Sequence, residues 1–278
     1  MDYNYFGLDN FLLAALDEDI GTGDVTTDSC VPEIAVSDGS IIAKEAGIIC
    51  GLGVFARVFE LIDEGVRVAP RISDGDRVAT GDIIADISGL SRSILKGERV
   101  ALNILQHMSA IATRTAVAAS AVSGTNARIV DTRKTLPGFR ILDKYAVRCG
   151  GGTNHRFNLS DGILIKDNHI KAAGSITNAV RYARINSPFT LKIEVEAETH
   201  EQVDEALAAG ADIIMLDNMS ISEMVEAVKR IGGLALTEAS GNMGERDLRS
   251  VAETGVDFIS IGALTHSVKA MDISLKFK

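Results

Sequence analysis

The stretch TLKIEVEAETHEQVDEALAAGADIIMLDNM, residues 190–219, decides the fold. It opens on a β-branched run at 190–196, crosses a helical segment at 199–209, and ends on the apolar run ADIIMLD at 211–217. Two such runs joined by a helix are parallel neighbours covered by helices. The same rhythm extends outward on both sides. Further strands are read at 127–131, 162–166, 233–238 and 256–261, and further helices at 171–186, 220–231 and 244–254. Gly210 and Gly255 stand where a helix is capped before the next strand. This alternation means an α/β barrel or an open doubly wound sheet. The strand ends favour the barrel. Asp131, Lys166, Glu196, Asp217, Glu238 and Gly262 close buried runs, and in a parallel barrel such ends converge on one mouth. Six strand signals rather than eight make that barrel incomplete.

Upstream the pattern differs. Phe11 to Asp17 forms a short helix, and short strands at 40–50 and 66–87 are separated by Asp-Gly and Thr-Gly turns, an antiparallel signal. From Ser91 to about Val122 the apolar residues recur with helical period, marking the boundary between the halves.

Composition narrows the function. Of 278 residues 46% are apolar and 24% charged, a folded chain rather than a disordered one. No run of 18 apolar residues suggests a membrane helix, and the acidic start MDYNYFGLDNF lacks the basic region of a secretory signal. Cys30, Cys50 and Cys149 show no CxxC spacing, which fits a reducing cytoplasm and excludes a structural zinc cluster. A net charge of −10 has the wrong sign for a nucleic-acid or membrane-surface binder. Between Arg128 and Lys171, however, nine Lys/Arg face four Asp, a net of +5 that leaves −15 elsewhere. One concentrated basic segment suits a small anionic substrate.

The mouth gathers two groups. Arg133, Lys134, His155, Arg156 and Lys166 are cationic; Glu196 and Asp217 are anionic, with Glu194 on the same strand face as Glu196. Arginine grips carboxylate and phosphate bidentately, lysine acts as a point charge, and paired carboxylates hold Mg²⁺. The set therefore fits one substrate with carboxylates and a second that is a Mg²⁺-chelated polyphosphate ester. The glycine runs at 149–156, Ser240-Gly241-Asn242 and Ile261-Gly262 offer backbone amides to phosphate. Arg140, Lys144 and Arg148, four apart after Pro137-Gly138, are read as a solvated helix face, and His107 as a packing histidine. Lys166 follows the apolar run 163–165 and needs a local partner or a bound anion.

Residues 131–170, DTRKTLPGFRILDKYAVRCGGGTNHRFNLSDGILIKDNHI, closely resemble the quinolinate phosphoribosyltransferase family. The likeness continues through EDIGTGDVTTDS (18–29), GERVALNILQHMSAIAT (97–113), GADIIMLDNM (210–219), EASGNM (238–243) and TGVDFISIGALTHSVKAMDISL (254–275). It implies conversion of quinolinate and phosphoribosyl pyrophosphate to nicotinate mononucleotide, pyrophosphate and CO₂, on the route to NAD. It also implies roles. Arg133, His155, Arg156 and Lys166 would hold quinolinate; Thr132, Lys134, Glu196 and Asp217 the phosphoribosyl and Mg²⁺ side; Ser240, Gly241, Asn242, Ser260, Ile261 and Gly262 the ribose 5′-phosphate. Arg99 would reach the neighbouring subunit's site, making a homodimer or higher homo-oligomer necessary. The implied architecture is an N-terminal α/β sandwich over 1–110, completed by 266–278, and a C-terminal incomplete barrel of type II phosphoribosyltransferase kind over 111–265. Ala110 and Asn242 replace glycines common in the family.

Two rival readings start from other features. A lysine at an apolar strand end, Lys166, could form a Schiff base as in aldolases. The stretch DGDRVATGDIIADISG (74–89) resembles carrier-domain hairpins, but Lys44 lies in a different setting, so the likeness is one of architecture.

Overall fold

The computed structural model describes residues 7–278, so MDYNYF, and with it part of the reading of the N-terminus, lies outside the described residues. The chain divides into two compact units. The first comprises the N-terminal residues through Arg114 together with Ile141–Gly150 and Val268–Lys278; the second comprises Thr115–Arg140 and Gly151–Ser267. The segment Ile141–Gly150, which sequence assigned to the barrel half, thus groups with the first unit.

That first unit begins with helices α1 (Leu8–Ile20) and α2 (Val25–Cys30), then β1 (Val36–Ala43), β2 (Gly47–Ile48), α3 (Leu52–Ile62), β3 (Arg67–Pro70), β4 (Arg77–Val78) and β5 (Ile83–Leu90). Helix α4 (Ser91–Ala121) follows; α5 (Arg140–Cys149) and the last strand, β12 (Ile273–Phe277), come from further along the chain. The main sheet is antiparallel in the order β12-β1-β5-β3, and β12 pairs along β1 from Gly39–Phe277 to Ala43–Ile273. Phe55 and Phe59 of α3 meet edge to face, centroids 5.2 Å apart, in its core. His107 on α4 is satisfied as expected, by the buried Asp143 at 2.8 Å. Lys144 departs from the solvated-face reading: it is 3% exposed, because the apolar stripe of α5 turns this position inward.

The second unit is the barrel. Its strands are β6 (Arg128–Val130), β7 (Ile163–Ile165), β8 (Ile193–Ala197), β9 (Ile213–Asp217), β10 (Leu236–Ser240) and β11 (Phe258–Ser260). All pair in parallel, in the order β6-β11-β10-β9-β8-β7. The helices are α6 (Asp167–Ala173), α7 (Ile176–Asn186), α8 (His200–Ala208), α9 (Ile221–Ile231), α10 (Leu248–Ala252) and α11 (Ala263–His266). The single helix expected at 171–186 is two, broken at Gly174, whose left-handed backbone caps α6 while Ser175 starts α7. Gly210 and Gly255 lie just beyond the C-caps Ala209 and Glu253.

Polar caps fix where helices begin. Thr199 accepts from the Gln202 N–H, and Ser220 and Glu223 form a reciprocal capping box, each cap worth about 1 kcal/mol. Outward strand residues Ile193, Val195, Ile214, Leu216, Ala239 and Ile259 pack with Val203, Ala206, Met224, Ala227 and Ile231 from the helices. Each fully buried aliphatic side chain there contributes roughly 1.5–3 kcal/mol. The alternate residues point inward, and there the sequence turns polar: Glu194, Glu196, Asp217, Glu238, Ser240 and Ser260. Between β6 and β7 the wall has no strand pairing. The Gly151–Arg156 segment stands in that gap, joined to β6 through Thr153, whose N–H donates to Ile129 O at 2.8 Å.

Candidate active site

The mouth is built at the C-terminal ends of these strands. A cavity of about 180 Å³ is lined by Thr132, Arg133, Lys134, His155, Arg156, Leu164, Lys166, Met215, Glu238, Ser240 and Ser260. All five sequence-selected cations therefore face one space. A larger cavity of about 430 Å³ opens at the strand starts, beside Arg128, Ile163, Ile213 and Phe258, and shares His155, Arg156 and Glu238 with the first. The smaller one is where the chemistry converges, because it alone also gathers Arg133, Lys134 and Lys166.

The cations are held differently. Arg156 donates from Nη1 to Gly162 O at 3.0 Å, and burial, with the Arg133 charge beside it, holds its guanidinium below the usual arginine range. Arg133 Nε is buried without a hydrogen-bond partner. Two neighbouring guanidinium groups, one with an unused buried donor, form a receptor for an anion. Lys166 donates to Glu196 Oε2 at 2.5 Å, and its side chain is nearly half exposed rather than set in the apolar surroundings that the run 163–165 suggested. Lys134 N–H donates to Thr132 Oγ1 at 3.0 Å, and Lys134 O accepts from Thr265 Oγ1 at 2.7 Å, so the turn after β6 is pinned on both sides. Gly262 passes against this lysine: a Cβ there would lie 2.9 Å from Lys134 Cδ.

Glu238 is not a strand end. Leu234 stays in the preceding turn, and β10 starts only at Leu236, so Ser240 ends the strand and Glu238 sits inside the barrel, 3% exposed. There His155 Nε2 approaches Glu194 Oε2 at 3.1 Å and Glu238 Oε2 at 3.4 Å. Burial opposes the imidazolium, but hydrogen bonds to both carboxylates and their charges outweigh it and raise His155 to about 10. Burial likewise raises the Glu194 carboxyl. His155 and Glu194 together retain a proton that free groups would release below neutral pH. The Arg156 N–H donates to His155 Nδ1 at 2.7 Å, so Nε2 bears the ring N–H that faces the carboxylates, and the further proton lies on Glu194, whose burial favours its neutral form.

Two residues whose part in the site sequence did not assign hold this arrangement together. Asp131 is fully buried; its Oδ1 accepts the His155 N–H at 2.8 Å and its Oδ2 the Asn154 Nδ2 at 2.7 Å. Arg140, read as part of a solvated face, instead donates to Arg133 O at 3.2 Å, Phe157 O at 3.4 Å and Thr135 Oγ1 at 3.2 Å. Its place at the start of a helix, after Pro137-Gly138, was the only signal available. Asp131→Asn turns one acceptor into a donor facing a donor. We expect it to cost about 1–3 kcal/mol, read as a lowered Tm together with a raised KM for the anionic substrate.

Glu196, Asp217, Gly241, Asn242, Ile261 and Gly262 do not line the smaller cavity. Strand register brings the acids beside it: Glu196 lies opposite Met215 and Asp217 opposite Ser240. Ile261 buries its side chain, 2% exposed, in the helix-facing core, and its backbone N–H donates to Val130 O at 3.0 Å. Arg99 is an exposed residue of α4 in the first unit and so is not among the barrel residues. Gly241 has φ +94°, and a Cβ there would meet Asn218 Oδ1 at 2.2 Å. Asn242, standing where glycine is common, has φ +53°, a left-handed conformation that asparagine tolerates. Gly241→Ala should therefore cost about 1–3 kcal/mol and weaken phosphate binding, while Asn242→Gly leaves the loop intact; thermal melts and substrate titration compare the two.

Comparison with known proteins adds the decisive observation. Residues 24–109 match the model of the quinolinate phosphoribosyl transferase N-terminal domain, and residues 111–276 that of its C-terminal domain. The chain belongs to the quinolinate phosphoribosyl transferase family. A probable carboxylating nicotinate-nucleotide pyrophosphorylase of Bacillus subtilis is 47% identical, covering 93% of this chain and 89% of that protein. The corresponding Mycobacterium leprae enzyme is 44% identical, covering 94% of each. The crystal structure of NadC from Streptococcus pyogenes superposes with a TM-score of 0.93 at 44% identity, over 100% of this chain and 99% of that one. Family membership agrees with the two-unit architecture and with the anion-receiving mouth of the barrel.

Proposed function

We propose that this chain is a quinolinate phosphoribosyltransferase, converting quinolinate and phosphoribosyl pyrophosphate to nicotinate mononucleotide, pyrophosphate and CO₂ in NAD biosynthesis. The observation that carries the reading is the Arg133–Arg156 pair. A buried guanidinium donor without a partner, beside a second arginine and Lys166, matches a small dicarboxylate. Arg133, Arg156 and Lys166 bind the two carboxylates and fix the ring nitrogen toward the sugar. His155 supports Arg156 through its backbone N–H. Lys134 and Thr132, with Ser240, Gly241, Asn242, Ser260, Ile261 and Gly262, hold the phosphoribosyl substrate.

The nitrogen then attacks the sugar C1 as pyrophosphate departs. The resulting ring cation stabilises the carbanion left when the adjacent carboxylate is lost as CO₂, and that carbon takes up a proton. The protein's part is to position two anions and exclude water. Glu196 and Asp217 offer hard carboxylate oxygens on one inward face, a donor set that fits Mg²⁺ while leaving room for phosphate oxygens and water. Mg²⁺ held by Glu196 and Asp217 would neutralise charge on the leaving pyrophosphate.

We assign Arg99 to a neighbouring copy's site in a homodimer or higher homo-oligomer, and the protein to the cytoplasm. Among the described residues no helix is long and apolar enough to cross a membrane. The test is incubation with quinolinate, phosphoribosyl pyrophosphate and Mg²⁺. Nicotinate mononucleotide should form with quinolinate and not with nicotinate; no product, or equal use of nicotinate, overturns the reading.

A further inference from the structure

A second cluster of reactive side chains lies in the first unit. Cys50 is fully buried between β2 and α3, and Cys149 is the half-buried last residue of α5. Their sulfur atoms and a carboxylate oxygen of Asp74 all lie within 4.8 Å of one another. Asp74 is already committed. Its Oδ1 accepts the N–H groups of Gly51 and Leu52 at 2.9 and 3.0 Å, and its Oδ2 accepts the Tyr145 hydroxyl at 2.7 Å. The chemistry left to the cluster is therefore between the two sulfurs.

Both backbones are fixed in place. Cys50 N–H donates to Ser109 Oγ at 3.0 Å, and Ser109 Oγ donates back to Cys50 O at 3.3 Å. Cys149 sits at the helix end, where the next amide, of Gly150, closes on Ala146 O at 3.0 Å. The two thiols are thus held as a facing pair by elements that sequence separates by about a hundred residues.

We propose that Cys50 and Cys149 form a thiol–disulfide site, oxidised by a low-molecular-weight disulfide such as oxidised glutathione. Cys149 is the more exposed sulfur, and a hydrogen bond from Cys50 holds its thiol below the usual range, while burial pushes Cys50 up. The Cys149 thiolate attacks the small disulfide, forming a mixed disulfide and expelling one thiolate. Cys50 then attacks the Cys149 sulfur and passes its proton to the departing glutathione sulfur, which leaves as the second thiol. The protein loses two electrons and two protons, and the small disulfide becomes two thiols. Disulfides of this transient kind are the ones that occur in reducing compartments.

The consequence follows from connectivity. After Cys149 the chain leaves the first unit at Gly150 and runs through Gly151 and Gly152 to Thr153–Arg156. A disulfide anchors one end of this glycine run, whose other end carries His155 and Arg156. This part of the inference rests on the roles assigned to those two residues; the disulfide itself does not.

The test uses the full chain with Cys30→Ser, since Cys30 is exposed and would form its own adduct. After treatment with oxidised glutathione and denaturing alkylation, both remaining thiols should be lost together. The intact mass should fall by two hydrogens without added glutathione, and dithiothreitol should reverse the change. Adding Cys50→Ser should stop the reaction at a stable glutathione adduct on Cys149. If both thiols stay alkylatable, or if the Cys50-containing protein also stops at the adduct, the site is refuted. Turnover of the oxidised protein should fall about tenfold or more and recover on reduction, because small displacements of binding groups cost rate steeply. Full turnover with the disulfide formed refutes the coupling to His155 and Arg156 alone.

Discussion

Arg133→Ala lowers kcat/KM for quinolinate by about 10³ while the Tm stays at or above that of the parent protein. The two halves of this expectation have one origin. Among the described residues the Arg133 Nε has no hydrogen-bond partner, so its removal breaks no bond there. Its charge also opposes that of Arg156, so truncation relieves a repulsion that folding has to accept. What is lost is a donor awaiting the substrate's carboxylate. The backbone role survives, because Arg133 O continues to accept from Arg140 and from the Thr135 N–H. Steady-state kinetics with thermal melts decide the matter. Activity within tenfold of the parent, or a collapsed Tm, contradicts the assignment.

Lys166→Ala produces the second large effect, about 10² in kcat/KM. Its ion pair with Glu196 is short, 2.5 Å, but the lysine side chain is 46% exposed, so the pair adds little to global stability. The damage falls on function twice over. A cation leaves the mouth, and Glu196, 12% exposed, faces an incoming anion without its partner. Lys166→Arg does not restore activity, since a planar guanidinium cannot reproduce a compact ammonium held end-on by one carboxylate oxygen. The check is to vary each substrate in turn for all three proteins: the KM for quinolinate should rise more than that for phosphoribosyl pyrophosphate. Full activity in the arginine variant reduces Lys166 to a generic positive charge.

The barrel and its cations were legible in the sequence because both depend on local pattern. Strand and helix periods announce parallel strands, and a charged residue that closes an apolar run lies at the mouth by geometry. Lys166 and Arg133 were found that way. The carboxylate layer beneath was less visible. Glu238 was misplaced because GLALTE looks like a strand from its first residue, whereas Gly232 and Gly233, both at positive φ, hold Leu234 in the turn and delay β10 to Leu236. Asp131 is legible as a strand end, but its bonding role, like that of Arg140, is not, for another reason. Their partners, Asn154 and His155 for one and the Arg133–Thr135 and Phe157 backbone for the other, are brought close only by the tertiary fold. Lys144 shows the limit of charge as a guide to exposure, since a basic residue on an amphipathic helix was turned into the core.

A seam filled by a loop instead of a strand changes what can vary in this architecture. Residues 151–156 lean on β6 through Thr153 and Asp131, not through a full ladder. Their length and composition can therefore be redrawn without re-threading the parallel wall. Engineering toward other aromatic acids is best begun there: the loop sets the reach of Arg156, and five strand-to-strand pairings elsewhere keep the frame standing.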